Sequence, residues 1–232
     1  MNKILSVFSV FLLVGCAEVQ QVMNQLPQGL SQVDIGNGLK EALNNGIAKQ
    51  VSKLTQTDGF FRNELVKILL PEELRKVDEG LRKIGLGSLA DEGLRAINRT
   101  AESAVKEATP IFVDAIRNMT FNDAKNILMG SDNSATSYLQ STTSQALYGK
   151  FNPIIKSNFS KVGADKIWGD IISKYNTIPF VKRVNPDLSD YVTQQTMNGV
   201  FKMIAVEEKE IRMNVGARSS DLLKRVFAMQ DN

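Results

Sequence analysis

The chain has no histidine and only one cysteine among its 232 residues. Without histidine, Ser-His-Asp and Cys-His catalysis, imidazole acid–base work and His-bound zinc are excluded. A lone cysteine allows no disulfide inside the chain, so stability must come from packing. No apolar run approaches the roughly 20 residues of a membrane-spanning helix. Charge of either sign is also scarce in excess: the formal net charge is +3, too small to point to nucleic acid. What remains open is carboxylate chemistry, Lys-assisted Ser chemistry, hard-cation binding through oxygens, or no chemistry. The sequence assigns no catalytic residue, no metal ligand and no cofactor.

The cysteine is placed where it carries information. Lys3 forms a positive start, Ile4 to Val14 an apolar run of signal-peptide length, and Leu13-Val14-Gly15-Cys16 follows. This resembles a bacterial lipobox, with cleavage before Cys16 and lipid on its thiol. The resemblance implies a thioether-linked diacylglycerol and a further acyl chain on the new amine. Two chains already anchor a protein stably, at about 0.8 kcal/mol per buried CH₂. Lipid on Cys16 also removes the only thiol, and with it soft-metal sites and iron–sulfur clusters. Ala17 stands where an aspartate would signal inner-membrane retention, so the expected location is the outer membrane, facing the periplasm. The expected organisation is a signal peptide at 1–15, a lipidated, Gln-rich tether at 16–35, and a folded domain at 36–232. The 43% hydrophobic content is enough to bury one core.

The folded part reads as helices throughout. Leu39, Leu43, Ile47, Val51 and Leu54 step by three and four, and Thr57-Asp58-Gly59 ends the run. Phe60, Phe61, Leu65, Ile68 and Leu69 predict a short helix. Pro71-Glu72-Glu73 opens another, which Gly85 and Gly87 close. A long helix from about Ser88 to Ala108 carries Leu94, Ile97, Ala101, Ala104 and Ala108 on one stripe. Pro110 interrupts before a helix at Ile111–Met119. Thr120 and Asp123 form a capping-box pattern for the next. Asp132 or Ser134 starts a helix to Tyr148, and Pro153 to Tyr175 predicts one more, with Trp168. Residues 176–187 are the longest loop. Helices follow at about Leu188–Asn214 and after Ser219 or Ser220. With no period-2 pattern, the fold class is all-α: a single, bundle-like domain of roughly eight to ten helices.

Two motif matches dissolve on inspection. Gly85-Leu86-Gly87-Ser88-Leu89-Ala90 fits a dinucleotide fingerprint only on paper, because a helix and not a strand precedes it. The oxygen-rich stretch from Asp132 to Thr136 lacks the glycine and the acid of a calcium loop, with Ser137 and Thr143 in their places. The candidate polar residues are Asn98, Glu102, Asp114, Arg117, Glu207, Glu208, Arg212 and Arg218. Asn98 and Glu102 share a helix face and form either a pocket wall or an interhelical contact. Glu207 falls on the core stripe between Met203 and Ile211, along with Val200 and Val215. A buried carboxylate needs a partner, and Arg212, Arg218 and Arg117 are the candidates. Glu208 stands four before Arg212, a favourable helix pair. Met197, Met203 and Met213, with Phe201, form either ordinary core or an adaptable apolar cavity.

Taken together, a set of short segments resembles the bacterial family known as domain of unknown function 4197. They are Leu39-Lys40-Glu41-Ala42-Leu43, Gly59-Phe60, Leu70-Pro71, Asn98-Arg99 with Ala101-Glu102, and Phe112 to Ile116. Met119-Thr120-Phe121, Asp123-Ala124, Tyr191-Val192, Gly199-Val200-Phe201, Glu207-Glu208, Ile211-Arg212 and Leu222-Leu223 to Val226-Phe227 complete the set. Thr100 and Ser134 replace alanines of the usual pattern. The resemblance implies the helical fold and a lipoprotein but no substrate. Function is therefore expected as a lipid-anchored periplasmic binding or interaction module of the envelope, non-enzymatic, meeting the membrane through Cys16 and an envelope protein or apolar ligand elsewhere. The alternatives are a carrier of an apolar or amphiphilic ligand between helices, with loop 176–187 as lid, and a carboxylate-based hydrolase or metal-dependent enzyme using Glu207, Glu208, Glu102 and Asp114.

Overall fold

The computed structural model describes residues 30–83, 85, 87–161, 165, 173, 176–177, 179–180, 183, 185 and 187–231. Among them there are only helices, turns and irregular segments. The α-helices are α1 (Gln32–Leu54), α2 (Glu72–Lys83), α3 (Gly87–Val105), α4 (Ala108–Arg117), α5 (Phe121–Leu128), α6 (Ser134–Lys161), α7 (Leu188–Met213) and α8 (Asp221–Phe227). Single 3₁₀ turns at Val215–Ala217 and Ala228–Gln230 flank α8. The signal peptide, Cys16 and the tether as far as Gly29 lie outside the described residues, as does Trp168. A lid role for residues 176–187 falls on a stretch described only in part.

The apolar stripes explain the packing. On α1, Leu39, Leu43, Ile47, Val51 and Leu54 are all buried, and so are Ile97, Ala101 and Ala104 of α3. Small side chains on α3 let it lie close to α6, while α7 packs along both α6 and α1. Phe112 of α4 meets Phe201 of α7 edge to face, ring centroids 6.1 Å apart, a favoured aromatic geometry. Gly199 lets α7 approach the 60–66 segment: a Cβ there would stand 2.9 Å from a Phe60 ring carbon.

The helix starts are chemically capped. The Thr120–Asp123 capping box is present at α5, each side chain bonding the other residue's amide. Ser220 is the cap of α8. A second capping box, Ser31 with Asp34, opens α1. The helix therefore begins inside the stretch expected to be tether, and Leu30 and Ile35 are already buried.

The sequence divides the chain more finely than the structure does. Residues 60–69 form turns and not a helix. Phe60, Val66 and Ile68 are buried but Leu65 and Leu69 are half exposed, so no single helical face is satisfied. Asn63 bonds the amide of Leu65 instead. Between Tyr148 and Pro153 no break occurs, and α6 carries Pro153 in its interior. Leu147, Phe151, Ile155 and Phe159 of this helix are all buried. Continuous burial on both sides outweighs the hydrogen bond that proline removes. Pro110 likewise sits inside the first turn of α4, where the missing N–H costs nothing.

Candidate functional site

The polar candidates do not converge on one site. The structure distributes them into separate local networks, and the most developed joins α5, α6 and α7.

Glu208 on α7 is buried. Its carboxylate accepts hydrogen bonds from the backbone amides of Ala135 and Thr136 at 2.9 and 2.8 Å, and from the Thr136 hydroxyl at 2.8 Å. These amides belong to the first turn of α6, whose donors have no partner within the helix. Glu208 thus caps α6 from a neighbouring helix, with its charge at the positive end of the helix dipole. Arg212, one turn along α7, pairs with Glu208 at 2.8 Å. Its guanidinium also donates to the carbonyls of Ile127 and Leu128 at 2.8 and 3.3 Å. Those carbonyls lie at the negative end of α5, where Ile127 also accepts from the Gly130 amide and Leu128 from the Gln230 side chain. One buried ion pair therefore closes the end of α5 and the start of α6 together. The expected pairing of Glu208 with Arg212 holds. The expected Asp132 or Ser134 cap does not account for these two amides.

Glu207 is only 7% exposed, as its place on the core stripe required. Its partner is none of the three arginines expected. Lys49 Nζ of α1 lies 2.7 Å away, and the buried Gln50 amide donates to the other carboxylate oxygen. The geometric reason is Gly46, one turn earlier on α1: a Cβ there would come within 3.1 Å of Glu207 Cγ. The bare backbone lets α1 close on α7 and bring Lys49 and Gln50 to the acid. Beside both acids lies a cavity of about 30 Å³, lined by residues that include Leu39, Ile47, Ile204 and Ile211. Its volume is about that of one water.

Asn98 and Glu102 form neither a pocket wall nor an interhelical pair. Asn98 accepts from the amide of Ile68 at 2.8 Å and donates to the carbonyl of the same residue at 2.9 Å. Glu102 accepts from the amide of Phe60 at 3.2 Å. Both side chains thus hold the backbone of the irregular 60–69 segment, which is why that segment needs no helix of its own. Burial pushes the Glu102 carboxyl above the usual range, against the lowering effect of the Phe60 and Asp58 backbone. Arg218 donates to the carbonyls of Ile211 and Arg212 at 3.1 and 3.0 Å, closing the end of α7. It also forms a two-point pair with Asp231, 2.6 Å at each contact, which holds the Asp231 carboxyl below its ordinary value. Asp114 and Arg117 pair with each other on the surface, both well exposed.

Chemically, these buried charges are occupied. The carboxylates of Glu207 and Glu208 accept from amides, an ammonium or a guanidinium. Among the described residues no group of three or more His, Cys, Asp or Glu side chains is spaced to hold a metal ion. Met197, Met203 and Phe201 are buried in the ordinary core, whereas Met213 is 70% exposed. Val215 is half exposed too, since the helix ends at Met213 and the stripe ends with it. The partners that sequence reasoning missed are Lys49, Gln50, Ala135 and Thr136. The spacing of Gly46 and Gln50 on the α1 stripe, a gap followed by a polar residue, was the available signal for the first two. Backbone amides leave no such mark.

No curated protein and no solved structure matches the chain. Residues 29–228 match the family described as Protein of unknown function (DUF4197). Its span includes every helix described above, together with the networks built on Glu102, Glu207 and Glu208. The chain belongs to the DUF4197 family.

Proposed function

We propose that the protein is a lipoprotein held by Cys16 at the outer membrane, facing the periplasm, and acting as a non-enzymatic interaction module of the envelope. The observation that carries this reading is how little space remains in the described core beside the buried acids. The cavity beside Glu207 and Glu208 measures about 30 Å³, against about 300–1,000 Å³ for a ligand pocket. The buried acids serve as helix caps and clamps. A protein built this way works through its outer surface.

The anchor fits this reading. The folded chain begins by Leu30, and the segment from Cys16 to Leu30 spans at most roughly 50 Å when extended. No described helix is long and apolar enough to cross a membrane; in this reading the attachment is lipid on Cys16. The test is a titration of the purified full chain with N-phenyl-1-naphthylamine, an uncharged apolar fluorophore. A solid interior gives no saturable rise in fluorescence. A saturable one-to-one signal would favour the carrier of an apolar ligand instead.

A further inference from the structure

A second feature stands apart from these networks. An open cleft of about 670 Å³ lies between the outer face of α3 and the C-terminal end of α6. Its described lining includes Arg95, Arg99 and Lys161, with Asn158 and Glu92 beside them. We propose that this cleft binds a phosphate-bearing ligand with at least two negative charges.

The charge arrangement carries the argument. Arg95 and Arg99 are one turn apart on the same face, where like charges weaken a helix. Several other arginines are neutralised within the chain: Arg82 pairs with Asp78 and Asp91, and Arg212 and Arg218 have carboxylates. In the cleft, no described carboxylate lies within ion-pair distance of Arg95, Arg99 or Lys161. Asp91 and Glu102 lie near enough to interact with Arg95 and Arg99 but pair with neither, so the described lining keeps an excess of positive charge that a dianion balances.

The cleft is also partly preorganised. Arg95 lies over the Phe61 ring, 4.8 Å from its centroid, and Lys67 faces the same ring at 4.6 Å. Stacking fixes the guanidinium plane while leaving its N–H edge available. Guanidinium groups bind phosphate oxygens through two parallel donors. The cleft volume falls in the range of small-ligand sites. It lies toward the opposite end of α6 from the Glu208 cap. Over the 28 residues of that helix the separation is roughly 35–40 Å. The tether-side end of α1, packed against α8 through Gly38 and Val226, is on the capped side. The cleft is therefore remote from the start of α1.

The shared chemistry has two sources, a free phosphorylated compound and the phosphate headgroup of a lipid. Calorimetry of the full chain in uncharged detergent micelles, titrated with inorganic pyrophosphate, tests the site. The expected result is saturable binding that weakens as sodium chloride is raised. The Arg95→Ala/Arg99→Ala double variant should lose about tenfold or more in affinity, and Glu92→Gln should tighten binding. Lys209→Ala, an exposed cation on α7, should leave it unchanged. Absence of saturable binding, or equal losses in Lys209→Ala and the double variant, overturns the proposal. Doping the micelles with phosphatidic acid separates the sources: suppression of the pyrophosphate signal assigns the cleft to a lipid headgroup, and persistence assigns it to a free phosphate. Helical circular dichroism of each variant guards against misfolding, because these arginines are exposed and outside the core.

Discussion

Glu208 and Arg212 hold each other where neither meets water, and each also satisfies backbone groups that no helix can satisfy for itself. A buried pair of this kind contributes little when compared with well-packed apolar residues, but breaking one half is costly. Arg212→Met leaves Glu208 without its cation and removes one donor each from the carbonyls of Ile127 and Leu128. It should cost about 3–5 kcal/mol of folding stability, read from urea unfolding. Asp114→Ala, which removes half of an exposed pair, should stay within about 0.5 kcal/mol. Similar losses in the two variants would mean that the α5–α6 junction does not depend on the pair. Glu102 has a different signature. Its carboxyl is raised by burial, so the folded state holds its proton more tightly than the unfolded chain. Wild type should then gain stability relative to Glu102→Gln as pH falls from the raised value toward 4.5, the ordinary value. Above that window the difference should be flat. Asp123 and Asp231 act with the opposite sign. Their lowered carboxyls lose their contribution only as pH falls below 3.8, the ordinary aspartate value. A urea midpoint series against pH reads both slopes, and a Glu102→Gln difference that does not change with pH would contradict the assignment.

At the scale of elements, periodicity and capping chemistry made most helices legible. The stripe on α1, the alanine stripe on α3, the Thr120 box and the long α7 were all visible, because each rests on residues within one or two turns of one another. The failures arose where a distant residue decides. The 60–69 segment has enough apolar residues for a helix, yet Asn98 and Glu102, from another helix, take its backbone groups. Pro153 reads as a helix start, yet burial of Phe151 and Ile155 on either side keeps α6 continuous. Glu207 was correctly placed inward from its spacing, but its partner was not, because the Lys49 contact depends on how closely two helices approach at Gly46. The same dependence on close approach makes Gly199 testable. Gly199→Ala drives a methyl against Phe60 and Val66, and overpacking of this kind costs about 1–3 kcal/mol. The loss should appear as a lower urea midpoint with faster hydrogen exchange in residues 60–66. An unchanged midpoint would mean that this segment moves aside freely.

The whole molecule combines a packed helical core with a cationic cleft between α3 and α6. The proposed role is recognition at its surface. That account depends first on the anchor, since an unanchored domain would have no fixed orientation toward a membrane. The direct measurement is the intact mass of the protein purified from cells after membrane fractionation, beside the Cys16→Ser variant. The account predicts a chain beginning at Cys16, heavier by a diacylglyceryl group and an amide-linked acyl chain, recovered with outer membranes and lost from them in the variant. A mature chain without lipid on Cys16, released in soluble form, would contradict it.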